Sequence, residues 1–168
     1  MSIIKNNREI PKKNYYVVLV VSILVIIITL YIRTFYLSYV YNKNNSSIFN
    51  DKTINQINSD DFDFALSEIT EGIIYVSYNG TSKIRNMEKR LYKEVEKNNL
   101  NDMFIYWDIT DIDKKVVINK LMLFDNEEIV APMLIYVKDG QIIEIVDSKY
   151  KMIDYNTLNN MLSKYGII

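Results

Sequence analysis

The sequence predicts an α/β domain, a mixed sheet flanked by helices, preceded by one N-terminal transmembrane helix. Three observations carry this. An uncharged apolar run lies near the start. Beyond it, short β-branched and aromatic runs alternate with segments of helical periodicity, the pattern of a sheet covered by helices. Charge also divides the chain: residues 1–50 hold 6 basic and 1 acidic side chain, residues 51–168 hold 14 and 20, so a basic segment precedes an acidic domain although the 168 residues sum to −1.

The apolar run is Tyr15–Ile32, with Ser22 and Thr29 its only polar members. Eighteen helical residues rise about 27 Å, close to the ~30 Å hydrocarbon core of a bilayer. Tyr15, Tyr16, Tyr31 and Tyr36 sit where interfacial aromatic belts sit, and Arg33 can snorkel to the head groups. Lys5, Arg8, Lys12 and Lys13 precede the run, which places the N-terminus in the cytoplasm and the rest of the chain outside. No small-residue cleavage site follows, so an uncleaved signal-anchor is expected. The expected division is 1–14 basic cytoplasmic terminus, 15–37 transmembrane helix, 38–52 polar linker and 53–168 folded domain.

Within the domain, Thr53–Asn58 reads as a short strand. Asp60 or Asp61 then caps a helix with Phe62, Ala65, Leu66 and Ile69 on one face, ended by Gly72. Ile73–Tyr78 is a buried-type strand. After Asn79-Gly80-Thr81-Ser82 comes a long helix with Ile84, Met87, Leu91 and Val95 on its apolar face. Its charged residues, Glu88 among them, read as a solvated face. Met103–Asp108 is a second buried strand, and Val116, Val117, Leu121 and Phe124 mark a helical region. Met133–Val137 and Gln141–Val146 form a hairpin about Asp139-Gly140. Tyr155, Leu158, Leu162 and Tyr165 mark a closing helix.

Composition excludes much chemistry. There is no Cys and no His, so thiol, Cys-zinc, Ser-His-Asp and Cys-His mechanisms are impossible. Near-neutral charge argues against nucleic acid as a partner. Asp108, Asp111 and Asp113 do not have the spacing of a calcium loop and read as caps. Ser82 and Lys83, adjacent on a helix, point apart and form no dyad. No metal site and no cofactor is expected.

Two segments resemble the thioredoxin superfamily. IIYVSYNGTSK at 73–83 is similar to that family's strand, aromatic, Cys-Gly-Pro-Cys-Lys and helix, with Tyr78 at the aromatic, Asn79 and Ser82 at the two cysteines, and Gly80 and Thr81 between them. VAPMLIYVKDGQIIEIV at 130–146 is similar to its cis-proline, strand, turn and closing strand, which puts Ala131 and Pro132 at the cis bond. The likeness covers roughly 53–165. It implies a thioredoxin-like fold with a degenerate active site, since both cysteines are replaced and the family's buried acid falls on Ile73. A narrower likeness is to membrane-anchored bacteriocin transport accessory proteins.

The resemblance implies a redox-inactive, single-pass module that binds a protein or peptide at the extracytoplasmic face, in peptide export or envelope assembly. The alternative is an accessory to a thiol–disulfide oxidoreductase system. Asn79–Ser82 is either a polar binding turn at a helix N-terminus or a plain helix cap. Pro132 either shapes a peptide groove or is a rigid turn inherited with the fold.

Overall fold

The computed structural model describes residues 11–52, 54–123 and 130–168. The chain forms two compact units, the first ending at Lys43 and the second running Asn44–Ile168.

The first unit consists of helix α1, which extends through Lys12–Asn45. Its side chains from Tyr15 to Tyr39 are exposed all round, as a lipid-facing surface requires and a core helix does not allow. The Thr29 and Thr34 hydroxyls donate to the Val25 and Leu30 carbonyls, 2.8 and 2.9 Å, so neither is left unpaired on that surface. Among the described residues α1 is the one helix long and apolar enough to cross a membrane. Ile26→Asp should oppose insertion by about 2.5–3.5 kcal/mol, read as a shift of the full chain from the carbonate-resistant membrane fraction to the extractable one.

The second unit is a five-stranded sheet. Its strands are β1 (Asn55–Ile57), β2 (Glu71–Ser77), β3 (Phe104–Asp108), β4 (Met133–Lys138) and β5 (Gln141–Val146), in the order β1-β3-β2-β4-β5. β3 runs parallel to β1 and β2, whereas β4 runs antiparallel to β2 and β5, so the sheet is mixed as expected. Helices α2 (Phe62–Glu68) and α4 (Lys114–Lys120) supply one apolar layer, and α3 (Ser82–Lys97) and α5 (Tyr155–Lys164) the other. The alternation of strand side chains sorts β2: Ile73 and Tyr75 enter the α3/α5 layer, Ile74 and Val76 the α2/α4 layer.

The hairpin turn forms as read, with Asp139 at φ 50° and Gly140 at φ 72°. Trp107 is core, its ring 4.3 Å from Phe62. Several details differ from the sequence reading. Gly72 lies inside β2 instead of ending α2. Asp61 occupies the N-cap position of α2 without a side-chain hydrogen bond, because a 3-10 turn over Ser59–Asp61 leads into the helix. Val116 is exposed while Val117, Ile118 and Leu121 are buried, and Phe124 lies outside the described residues.

The largest difference concerns the expected linker. Residues 38–45 continue α1, and residues 46–50 are a strap packed into the domain. Phe49 is fully buried among Tyr75, Phe104 and Tyr106, with ring centroids 5.1, 5.4 and 5.5 Å away. An aromatic ring in a polar stretch has found an aromatic pocket, and its burial outweighs the freedom of a loose linker.

Candidate functional site

The turn between β2 and α3 holds the four residues singled out by sequence. Thr81 caps α3, its hydroxyl accepting from the Ile84 N–H at 3.4 Å. Gly80 is fixed by crowding: a Cβ there would come within 2.7 Å of Ile84 Cδ1 and 3.0 Å of the Tyr78 ring. Asn79 does not cap the helix. Its side-chain oxygen accepts from the Ser47 N–H at 2.9 Å and the Asn50 amide at 3.3 Å, and its own N–H donates to Thr110 Oγ1 at 2.8 Å. The Gly80 N–H donates to the Asn45 carbonyl at 3.0 Å. Ser82 is exposed at the first position of α3. The turn therefore grips the chain's own strap with the polar groups that a helix-terminal binding spot would need free.

Glu88 is the centre of this arrangement, and the sequence reading placed it wrongly. It is fully buried and not part of a solvated face. One carboxylate oxygen accepts from Ser47 Oγ and the Ile48 N–H at 2.9 and 2.8 Å, and the other from the Tyr75 and Ser77 hydroxyls, each at 3.1 Å. Arg85 donates to Ser46 Oγ at 3.2 Å. A signal was available: Glu88 stands four residues after Ile84 and three before Leu91, on the buried stripe itself.

Burial pushes the Glu88 carboxyl above its usual range, although its four donors pull the other way. Burial, reinforced by the Glu88 charge, likewise raises the Tyr75 hydroxyl well above its ordinary value. For a carboxyl raised in the folded state, the fold retains a proton that the unfolded chain has lost. Its contribution to stability is thus greatest at low pH and falls as pH rises from the unfolded value, about 4.3, to the raised one. Glu144, lowered by Lys164, and Asp154, lowered by Thr157 against its own burial, act in the opposite sense. Denaturant titrations across pH 4–8 should therefore show a Glu88-dependent decline in stability that is absent in Glu88→Gln.

The second predicted segment is in place as well. The Ala131–Pro132 bond is cis, the geometry the resemblance implies. The Pro132 carbonyl accepts from Ser148 Oγ at 2.6 Å, and Ser148 N–H donates to the Val130 carbonyl at 2.9 Å, which fastens this loop to the end of β5. Ala131 and Met133 line an apolar pocket of 170 Å³ with Ile109, Ile112 and Val117.

A larger groove of 610 Å³ went unread in the sequence. It runs between the first two turns of α3 and residues 151–155, with Lys83, Arg90 and Lys151 among its walls and Met87 and Met152 among its apolar lining. Residues distant in sequence build it, so no local pattern announces it.

Asp108 and Asp113 serve the backbone. Asp108 accepts from Thr110, and Asp113 caps α4 through the Lys115 N–H at 2.8 Å. Among the described residues no group of three acidic side chains is disposed to hold a metal ion.

No family model matches this chain, and no curated protein matches it. Solved structures do. The thioredoxin f2 of Chlamydomonas reinhardtii superposes with a TM-score of 0.51 at 12% identity, covering 67% of this chain and 95% of that one. Thioredoxin from Plasmodium falciparum gives 0.48 at 11%, over 67% and 97%. Mitochondrial thioredoxin 3 from Saccharomyces cerevisiae gives 0.48 at 15%, over 67% and 95%. Identities this low speak for the fold alone. The domain that begins at Asn44 thus has a thioredoxin-like fold, in a chain with no cysteine to carry out a thioredoxin's disulfide exchange.

Proposed function

We propose that this chain is a membrane-tethered, redox-inactive thioredoxin-like module that binds a protein or peptide partner at the extracytoplasmic face, in the service of peptide export or envelope assembly. One observation carries the reading. A fold built to present thiols to partner proteins is joined to an apolar anchor in a chain with no thiol at all. Disulfide exchange proceeds through a mixed disulfide, and neither Asn79 nor Ser82 can form one. What the scaffold retains for a partner is a cis-proline loop with an apolar pocket, and an open groove. The excess of Lys and Arg before the apolar run of α1 supports a cytoplasmic N-terminus and an external domain.

Photo-crosslinking in intact spheroplasts tests this. A benzophenone side chain at the exposed Tyr150 or Asn86 of the full chain should capture a discrete protein, and externally added protease should remove the domain. A domain that resists protease until the cells are lysed would place it on the other side. Absence of any crosslink from either position would remove the partner. Reduction of insulin by the unmodified chain would contradict redox inactivity.

A further inference from the structure

We infer that the groove between α3 and residues 151–155 takes an acidic peptide segment, in which Asp or Glu alternates with apolar side chains. This names the partner class and rests on the partner-binding reading. The groove's charge is the reverse of the domain's total. Residues 51–168 hold 14 basic and 20 acidic side chains, yet Lys83, Arg90 and Lys151 reach this one concavity from two separate elements. All three are exposed.

The single acidic side chain among the lining residues, Asp154, is half-buried and pairs with Lys151, which leaves Lys83 and Arg90 as the groove's uncompensated cations. The Asp154 carboxylate accepts from the Thr157 N–H and hydroxyl, both at 2.9 Å, and so caps α5; Lys151 lies 3.6 Å from its other oxygen. Between the cations the lining mixes the polar Asn86 with the apolar and adaptable Met87 and Met152. At 610 Å³ the space falls in the range of ligand clefts, about 300–1,000 Å³.

An anionic bilayer surface shares the chemistry but suits the groove less well. A flat head-group layer does not enter a concavity, and the remaining acidic domain surface is repelled by it. The same repulsion would turn an acidic peptide away from the rest of the domain and concentrate it at the groove.

The test is fluorescence anisotropy with the full chain in zwitterionic nanodiscs. The probes are a fluorescein-labelled decapeptide of alternating Glu and Leu and its counterparts with Lys or Ser in place of Glu. The Glu peptide should bind, weakening as salt rises, and the Lys peptide should not. The double change Lys83→Glu with Arg90→Glu should weaken binding about tenfold, roughly the loss of two exposed charge pairs. Lys89→Glu with Lys115→Glu, an equal charge change away from the groove, should leave binding unaltered. Tighter binding of the Ser or Lys peptide would overturn the acidic class and leave the partner-binding reading standing. Binding of no peptide, or binding unmoved by the groove variant, would overturn the assignment of the groove. Displacement of the Glu peptide by phosphatidylglycerol vesicles, with loss of vesicle binding in the groove variant, would make this a lipid-facing surface instead.

Discussion

Glu88→Ala is expected to destabilise the domain by about 3–5 kcal/mol, the cost of leaving several buried donors without their acceptor at about 1–3 kcal/mol each. Four donors converge on this carboxylate, and the deletion leaves all of them without it: the Ile48 N–H and the hydroxyls of Ser47, Tyr75 and Ser77. A hydroxyl can turn to another acceptor, but the Ile48 N–H is fixed by the backbone. For a domain of this size the loss corresponds to a fall in Tm on the order of 10 °C. Glu88→Gln keeps one acceptor oxygen and turns an NH₂ towards existing donors, so its cost should be smaller, about 1–3 kcal/mol. Thermal denaturation of the two variants in detergent measures both. Equal, small losses would mean that the carboxylate holds nothing together.

Phe49→Ala should cost a comparable amount, about 3–5 kcal/mol, as for other fully buried aromatic truncations. The ring meets Tyr75, Phe104 and Tyr106, and Tyr92 at 6.1 Å edge-on, so its removal opens a cavity that four rings on three elements cannot close together. Phe64→Ala is the internal comparison: Phe64 is largely exposed on α2, and its truncation should change stability by less than about 0.5 kcal/mol. Urea denaturation of both variants separates a strap that is part of the core from one that merely lies against it. The two predicted losses are not independent, since Phe49 N–H donates to Ser47 Oγ at 3.2 Å and Ser47 Oγ donates in turn to Glu88.

The parts of the fold that were legible in sequence are those written in local periodicity. β2, α3, β3, the β4–β5 hairpin and α5 each carry a run of apolar residues at the right spacing, and the Asp139-Gly140 turn carries its own backbone chemistry. The strap was not legible because its single apolar anchor, Phe49, sits in a polar stretch, and because its other contacts come from backbone groups and from Ser and Asn side chains of the kind any surface loop carries. Glu88 was misread because a charged residue on an amphipathic helix is usually solvated. Its position on the stripe of Ile84, Leu91 and Val95 was the better guide. Asn79 shows a third limit. The sequence offered capping or ligand binding for its side chain, and the fold uses it for neither, directing it to the strap.

These contacts give the turn between β2 and α3 a definite role. After β2 the chain presents an amide at Asn79 that holds residues 47 and 50, a backbone N–H at Gly80 that holds Asn45, and a buried carboxylate at Glu88. Hydrogen–deuterium exchange on the unmodified full chain in nanodiscs tests this role most directly, through the amides of Ser47, Ile48 and Gly80. The account predicts that all three exchange as slowly as amides of the central strands β2 and β4, so that the strap opens only when the domain unfolds. Exchange at the rate of an exposed linker, with β2 and β4 still protected, would contradict it.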